Sequence, residues 1–191
     1  MEEIEVKFLN IDVPALEEKL RKLGAVKAGD YMYKRKTYDF ADASLSSKGA
    51  WVRLRDEGDK VTFTYKQRFG AETNALKDGG TKEIEVTVSD FATADQLLKA
   101  IGLVEKFYEE NKRTRYTLGS IEFDIDTWPL LPPYLEIEGS DWASVESIAR
   151  ALGFNWDDHI RCQTMQVYAL NGINENDYSI LTFENQIKKS L

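Results

Sequence analysis

Like charges recur at alternate positions along this chain, and they segregate by segment. Acids stand two apart at Glu3 and Glu5, at Glu83 and Glu85, at Glu122, Asp124 and Asp126, and at Glu136 and Glu138. Bases do the same at Arg53 and Arg55 and at Arg113 and Arg115, while Lys66 stands in phase with Thr62 and Thr64. Lys7 extends the first acidic row. On a β-strand, side chains two apart project from one face, so each set is a charged strand face. A solvated face ordinarily mixes both signs, because like neighbours repel and cross-strand opposites attract. Something must therefore compensate each pair. Paired carboxylates suit a hard divalent cation such as magnesium or manganese, and paired guanidinium and ammonium groups suit a chain of phosphates. A metal–polyphosphate complex needs both, and a sheet curled on itself would bring both to one lumen. No Gly-X-X-X-X-Gly-Lys-Ser/Thr or kinase-type glycine-rich loop is present, so those routes to phosphate binding are not indicated.

The segments that would position these faces alternate polar with apolar residues, as half-buried antiparallel strands do. They are "EEIEVKFLN", "YKRKTYDF", "GAWVRLRDE", "KVTFTYKQR", "TKEIEVTVS", "NKRTRYTL", "SIEFDIDTW" and "YLEIEG". Three amphipathic helices interrupt them: "DVPALEEKLRKLGA" with Pro14 in its first turn and Gly24 at its end, "DFATADQLLKAIG" from Asp90 to Gly102, and "SDWASVESIARALG" from Ser140 or Asp141 to Gly153. The segment "GAETNALKDGG" is long enough for a mobile flap. From "NWDDHIRCQTMQVYAL" onward the pattern is helical but less regular, and residues 171–191 read as a closing helix or lid.

A chain of 191 residues with 42% hydrophobic residues can form one domain with a sizeable core, taken here as 1–191. Its 25 basic against 33 acidic residues, a net charge of −8, argue against general nucleic-acid binding. One cysteine, Cys162, and one histidine, His159, make a zinc or iron–sulfur site unexpected. Asp157, Asp158 and His159 read as a solvated loop or helix cap, and Tyr31, Tyr33, Trp51, Trp128, Trp142 and Trp156 as outer-core packing. No apolar run approaches the roughly 18 residues of a membrane span, and no signal peptide is evident. The expected setting is the cytoplasm.

The pentapeptide "EIEVK", followed in order by "KTYDF", "WVRLR", "FTYKQ", "KEIEV", "KRTRY", "FDID" and "YLEIEG", resembles the successive strand motifs of the CYTH domain, the triphosphate tunnel metalloenzymes. That family includes class IV adenylyl cyclases, thiamine triphosphatases and inorganic triphosphatases. The resemblance implies an α+β fold, an eight-stranded antiparallel β-barrel with charged residues inside its tunnel and helices outside. It implies that Glu3, Glu5, Asp126, Glu136 and Glu138 bind Mg2+ or Mn2+, and that Lys7, Arg53, Arg55, Lys66, Arg113 and Arg115 grip a triphosphate. It also implies catalytic roles for Glu83 and Glu85, which position metal or water, and for Tyr38 paired with Lys66 near the scissile phosphate. One departure concerns Asn111, which stands where many members have a lysine two places before the strand arginine. The expected activity is hydrolysis of tripolyphosphate, ATP or thiamine triphosphate by a monomer or homodimer. The alternatives are cyclisation of ATP to cyclic AMP and a non-catalytic polyphosphate-binding or nucleotide-binding module.

Overall fold

The computed structural model describes residues 4–68 and 81–189; the expected Glu3 ligand and the flap segment "GAETNALKDGG" fall outside them. In chain order the elements are β1 (Ile4–Phe8), α1 (Val13–Lys22), β2 (Val26–Phe40), β3 (Ala50–Asp56), β4 (Val61–Arg68), β5 (Thr81–Val88), α2 (Phe91–Ala100), β6 (Leu103–Leu118), β7 (Ile121–Thr127), β8 (Tyr134–Gly139), α3 (Trp142–Ala151), α4 (Thr164–Leu170), β9 (Tyr178–Leu181) and β10 (Gln186–Lys188). This is the expected α+β class, built on an antiparallel sheet of eight strands in the order β1, β8, β7, β6, β2, β3, β4, β5. Among the described residues that hydrogen-bonded path ends at β1 and at β5.

The described residues divide into two units, one holding the residues up to Tyr31 together with Asn111–Asp177, the other holding Met32–Glu110 with the chain from Tyr178 onward. The long strands β2 and β6 contribute to both.

In the first unit, alternation along β1, β7 and β8 sends Val6, Phe8, Phe123, Ile125, Leu135 and Ile137 to one face, where they pack on Leu16 and Leu20 of α1 and on Val145 and Ala149 of α3. The odd residues of β1 and the even residues of β7 and β8, which carry the charges, take the other face. Both helices start where expected: the Asp12 carboxylate accepts from the Ala15 amide at 3.1 Å, and Asp141, rather than Ser140, caps α3 by accepting from Ser144 at 2.8 Å. Gly139 brings the end of β8 against α3, since a Cβ there would lie 2.8 Å from a Val145 methyl. The free edge of β1 is taken by the segment after α3, with Lys7 N–H donating to Ile160 C=O at 2.9 Å and Ile160 N–H returning to Lys7 C=O at 3.0 Å.

In the second unit the apolar face of β2 to β4 contributes Tyr38, Val52, Leu54, Phe63 and Tyr65, which pack with Leu98 of α2 and Leu103 of β6. Asp90 caps α2 through the Thr93 amide at 2.6 Å.

The tail is not the helix its pattern suggested. After a short 3-10 turn at Glu175–Asp177 it forms β9 and β10, an antiparallel pair, and β9 also pairs in parallel with Tyr108 and Glu109 of β6. The local reason is turn chemistry at Thr182, whose N–H donates to Asn185 C=O at 2.8 Å while its hydroxyl accepts from the Asn185 amide at 2.9 Å. The aromatic and β-branched side chains of Tyr178 and Ile180 favour strand pairing over helix.

Phe123 is fully buried at the centre of the first unit's core. Phe123→Ala is expected to lower unfolding free energy by about 3–5 kcal/mol, read as a shifted urea midpoint.

Candidate active site

Strand register decides which charges meet. In the first unit, Glu5 of β1 lies opposite Glu138 of β8, and Glu138 opposite Glu122 of β7, so three carboxylates form one cross-strand row. The next row reads Lys7, Glu136, Asp124 and Arg115, and the third pairs Tyr134, Asp126 and Arg113. Six carboxylates thus share a face with three cations, and the cations sit where they neutralise the most charge.

Arg113 is the hub of that face. Its Nε and one Nη donate to the two oxygens of Asp126 at 2.7 and 2.6 Å, that same Nη donates to Glu136 at 2.7 Å, and the other Nη pairs with Asp124 at 2.6 Å. Such forked, charge-assisted contacts are the strong kind. Burial opposes the guanidinium charge, but Asp126, Glu136 and Asp124 together hold its pKa well above the ordinary arginine value. Asp126 itself is 0% exposed, and burial pushes its pKa up to about 6 despite Arg113 beside it. The side-chain amide of Asn111, at the position where the sequence departs from the family pattern, also reaches Asp126, at 3.4 Å.

Lys7 is 4% exposed, and its ammonium bridges Glu5 and Glu136, the latter at 2.9 Å. Burial disfavours its charge, but Glu136 and Glu5 outweigh this and keep its pKa above the usual lysine value. Arg115 donates twice to Asp124 at 2.7 Å and pairs with Glu122 at 3.0 Å.

In the second unit, register puts Arg35 of β2 directly opposite Arg55 of β3, and Arg53 between Thr37 and Thr64. Arg55 donates to Glu57 at 2.8 Å and lies 5.6 Å from the centre of the Tyr33 ring, while Arg35 is 3.4 Å from Glu109. Among the described residues Arg53 is the least closely paired of these three arginines: it stands 3.8 Å from both Glu83 and Glu85, and its buried Nε finds no hydrogen-bond partner there. Burial, with Arg55 and Arg35 nearby, lowers its pKa to about 10. Lys66 meets Glu83 at 2.9 Å, and burial together with Arg53 lowers its pKa despite that partner. The Thr64 hydroxyl donates to Glu85 at 2.7 Å.

The structure therefore brings Arg53, Arg55, Lys66, Glu83 and Glu85 onto one face of the second unit, and Glu5, Lys7, Arg113, Arg115, Asp126, Glu136 and Glu138 onto one face of the first. It does not bring Tyr38 to Lys66. Tyr38 projects from the opposite face of β2, fully buried, and its hydroxyl donates to Asp95 of α2 at 2.7 Å, an acid also held by Lys36 at 2.9 Å. Burial and Asp95 raise the Tyr38 pKa, the reverse of what a proton-accepting phenolate needs. Trp51 shares its face with Arg53 and lies opposite Lys66, so it belongs to the charged face rather than the outer core. The Asp157, Asp158 and His159 group forms a short 3-10 turn and its end, with the His159 ring stacked on Trp156 at 4.2 Å. Cys162 is half-buried, and burial raises its thiol pKa.

Arg35 and Glu57 were not among the expected site residues. Arg35 lies within "KRK", where adjacent bases hide the alternation, and Glu57 follows the last residue of β3.

The carboxylates of the first unit's face are hard oxygen donors, which is the chemistry a divalent Mg2+ or Mn2+ requires. The row of Glu5, Glu138 and Glu122 is the like-charged arrangement such an ion would relieve. Among the described residues no three acidic side chains yet converge as a finished ion cage. Glu5, Asp124, Asp126 and Glu136 are instead drawn to Lys7, Arg113 and Arg115.

The model of the CYTH domain matches residues 1–159. The chain belongs to the CYTH domain family. CYTH proteins bind triphosphates, act as triphosphatases or cyclases, and generally depend on a divalent metal. Solved structures share the fold: PH1012 protein from Pyrococcus horikoshii OT3 at 21% identity and TM-score 0.64, covering 87% of this chain and 99% of its own. A candidate adenylate cyclase from Vibrio parahaemolyticus aligns at 11% identity and TM-score 0.68, over 87% and 97%. A candidate adenylyl cyclase from Hippeastrum, described as having a dominant triphosphatase activity, aligns at 13% identity and TM-score 0.62, over 92% and 98%. No curated protein matches the chain. Among the described residues of this CYTH chain, no helix is long and apolar enough to cross a membrane.

Removing Arg113 would leave Asp124, Asp126 and Glu136 buried without their main counter-charge. Arg113→Met is expected to cost about 3–5 kcal/mol of stability at pH 8. Without the guanidinium the folded-state pKa of Asp126 rises further above its unfolded value. The folded variant then holds more protons, and its deficit shrinks as the pH falls from 8 toward 5. Urea unfolding of both proteins at pH 5 and pH 8 measures this.

Proposed function

We propose that this CYTH chain is a divalent-metal-dependent triphosphatase that hydrolyses an inorganic or organic triphosphate. The observation that carries the reading is Arg53, largely enclosed near Arg35 and Arg55, 3.8 Å from Glu83 and Glu85, with a buried Nε that has no hydrogen-bond partner among the described residues. A buried guanidinium short of counter-charge and hydrogen bonds is a site that an anion completes, and a phosphate oxygen satisfies both needs. Arg55 and Lys66 flank it on the same face and would share the phosphate charge.

Phosphoryl transfer needs positioning and charge neutralisation more than covalent help. Arg53, Arg55 and Lys66 fix the phosphates and stabilise the departing group. Glu83 holds Lys66 in place, and Glu85 anchors Thr64. Glu5, Glu138 and Glu122 are the residues proposed to hold the cation, with Glu136 adjoining through Lys7. When bound, that ion neutralises charge on the transferring phosphoryl group. Asp126, enclosed by Arg113, supports the guanidinium more than it can reach an ion. Arg113 and Arg115 have their charges already matched by carboxylates of their own face.

Incubation with tripolyphosphate, ATP or thiamine triphosphate, each with Mg2+ or Mn2+, followed by ion-exchange analysis of products, is the test. Orthophosphate release is expected. Cyclic AMP with diphosphate from ATP would replace hydrolysis by cyclisation, and tight binding with no product would leave a binding module. Arg53→Ala is expected to weaken triphosphate binding about tenfold to a hundredfold. Glu5→Gln should lose metal-stimulated turnover with an unchanged unfolding curve.

A further inference from the structure

We propose that Lys7 is a built-in counter-ion that occupies Glu5 and Glu136 and competes with the divalent cation for them, so that arrival of the ion releases the ammonium. This rests on the reading of the first unit's acidic face as the cation-holding one, and it adds a device that links cation binding to the availability of a positive charge.

The two inner cations that hold this face differ in how firmly they are tied. Arg113 makes a forked pair with Asp126 and closes on Asp124 and Glu136 as well, all within 2.7 Å. Displacing it would break four contacts and strand a carboxylate that is 0% exposed. Among the described residues Lys7 holds Glu5 and Glu136, through a single ammonium on a flexible stem. One of its two partners is open to solvent, since the Glu5 side chain is 40% exposed whereas that of Glu136 is 11% exposed. An ion approaching the row of Glu5, Glu138 and Glu122 meets Lys7 already seated on the first of these.

An ammonium and a divalent ion cannot share a carboxylate without strong repulsion at a separation of a few ångströms. The ion carries the greater charge, and the row offers it the oxygens of Glu138 and Glu122 as well. The backbone of β1 cannot shift to make room, because Lys7 gives both its N–H and its C=O to Ile160 while the other edge of β1 is paired with β8. Relief must come from rotation of the lysine side chain, which leaves its ammonium free for an anion. Coupling of this kind is reciprocal: whatever Lys7 costs the ion, the ion costs the Lys7 contacts.

The test uses the full chain without any triphosphate. Isothermal titration with Mn2+ should show Lys7→Met binding the ion about tenfold more tightly than the unsubstituted protein. Lys22→Met, which removes an exposed lysine of α1 paired with Glu18, should differ less than twofold and so separates a local effect from the change in net charge. In the unsubstituted protein, nitrogen-detected NMR of lysine ammonium groups should show the Lys7 signal protected without metal and moved at saturating Mg2+. Equal or weaker Mn2+ binding by Lys7→Met, or a Lys7 signal unmoved by Mg2+, overturns the competition while leaving the cation-holding face in place. Absence of Mn2+ binding in every protein overturns both. If Lys7→Met does not fold, the Mg2+ titration decides alone.

Discussion

Like charges set directly opposite one another across hydrogen-bonded strands are the constraint on which this structure depends. Strand geometry fixes them about 5 Å apart, and each would repel its neighbour if left alone. The first unit answers with Arg113, whose planar fork spans three acids on two strands, and with Lys7, which joins β1 to β8. The second unit answers only in part, because Arg35 and Arg55 face each other and Arg53, on the same face, comes no nearer than 3.8 Å to an acid among the described residues. The two faces therefore differ in kind. One is acid-rich and internally pinned, and the other keeps a cationic centre short of partners.

That difference ties fold to chemistry. A buried ion pair is seldom a large net source of stability, since desolvation offsets most of the attraction. The charged faces are better understood as work the apolar faces sustain. Leu16, Leu20, Val145 and Ala149 pack on the reverse side of the same strands in the first unit, and Leu98 and Leu103 in the second. Period-two alternation makes one requirement serve the other, because a register that buries Val6 and Phe8 necessarily places Glu5 and Lys7 on the opposite face.

Much of this was legible in the sequence. Alternation announced the strands, the charged faces and the three capped helices, and the ordered motifs pointed to the CYTH domain. What alternation cannot give is register. The row of Glu5, Glu138 and Glu122 exists only because β8 lies between β1 and β7, strands far apart in the chain. Arg35 was hidden by the bases on either side of it. Tyr38 was misplaced because its motif was read without its parity: it stands in phase with Lys36, and both point to Asp95. The tail misled because a short run of aromatic and β-branched residues followed a helical segment, and the turn at Thr182 depends on a hydroxyl whose role shows only once the hairpin is closed.

The pairing of Ile160 with Lys7 has a consequence for how the chain behaves in a crowded solution. A bare outermost strand is a template on which a second molecule can lay its own backbone, the first step toward fibrous assembly. Here one residue from beyond α3 plugs the donor and acceptor of Lys7 and blocks in-register growth near the end of β1. The same plug makes the N-terminal strand hard to peel away from the sheet, so the segment that carries the family's pentapeptide is anchored by a residue more than 150 positions later in the chain.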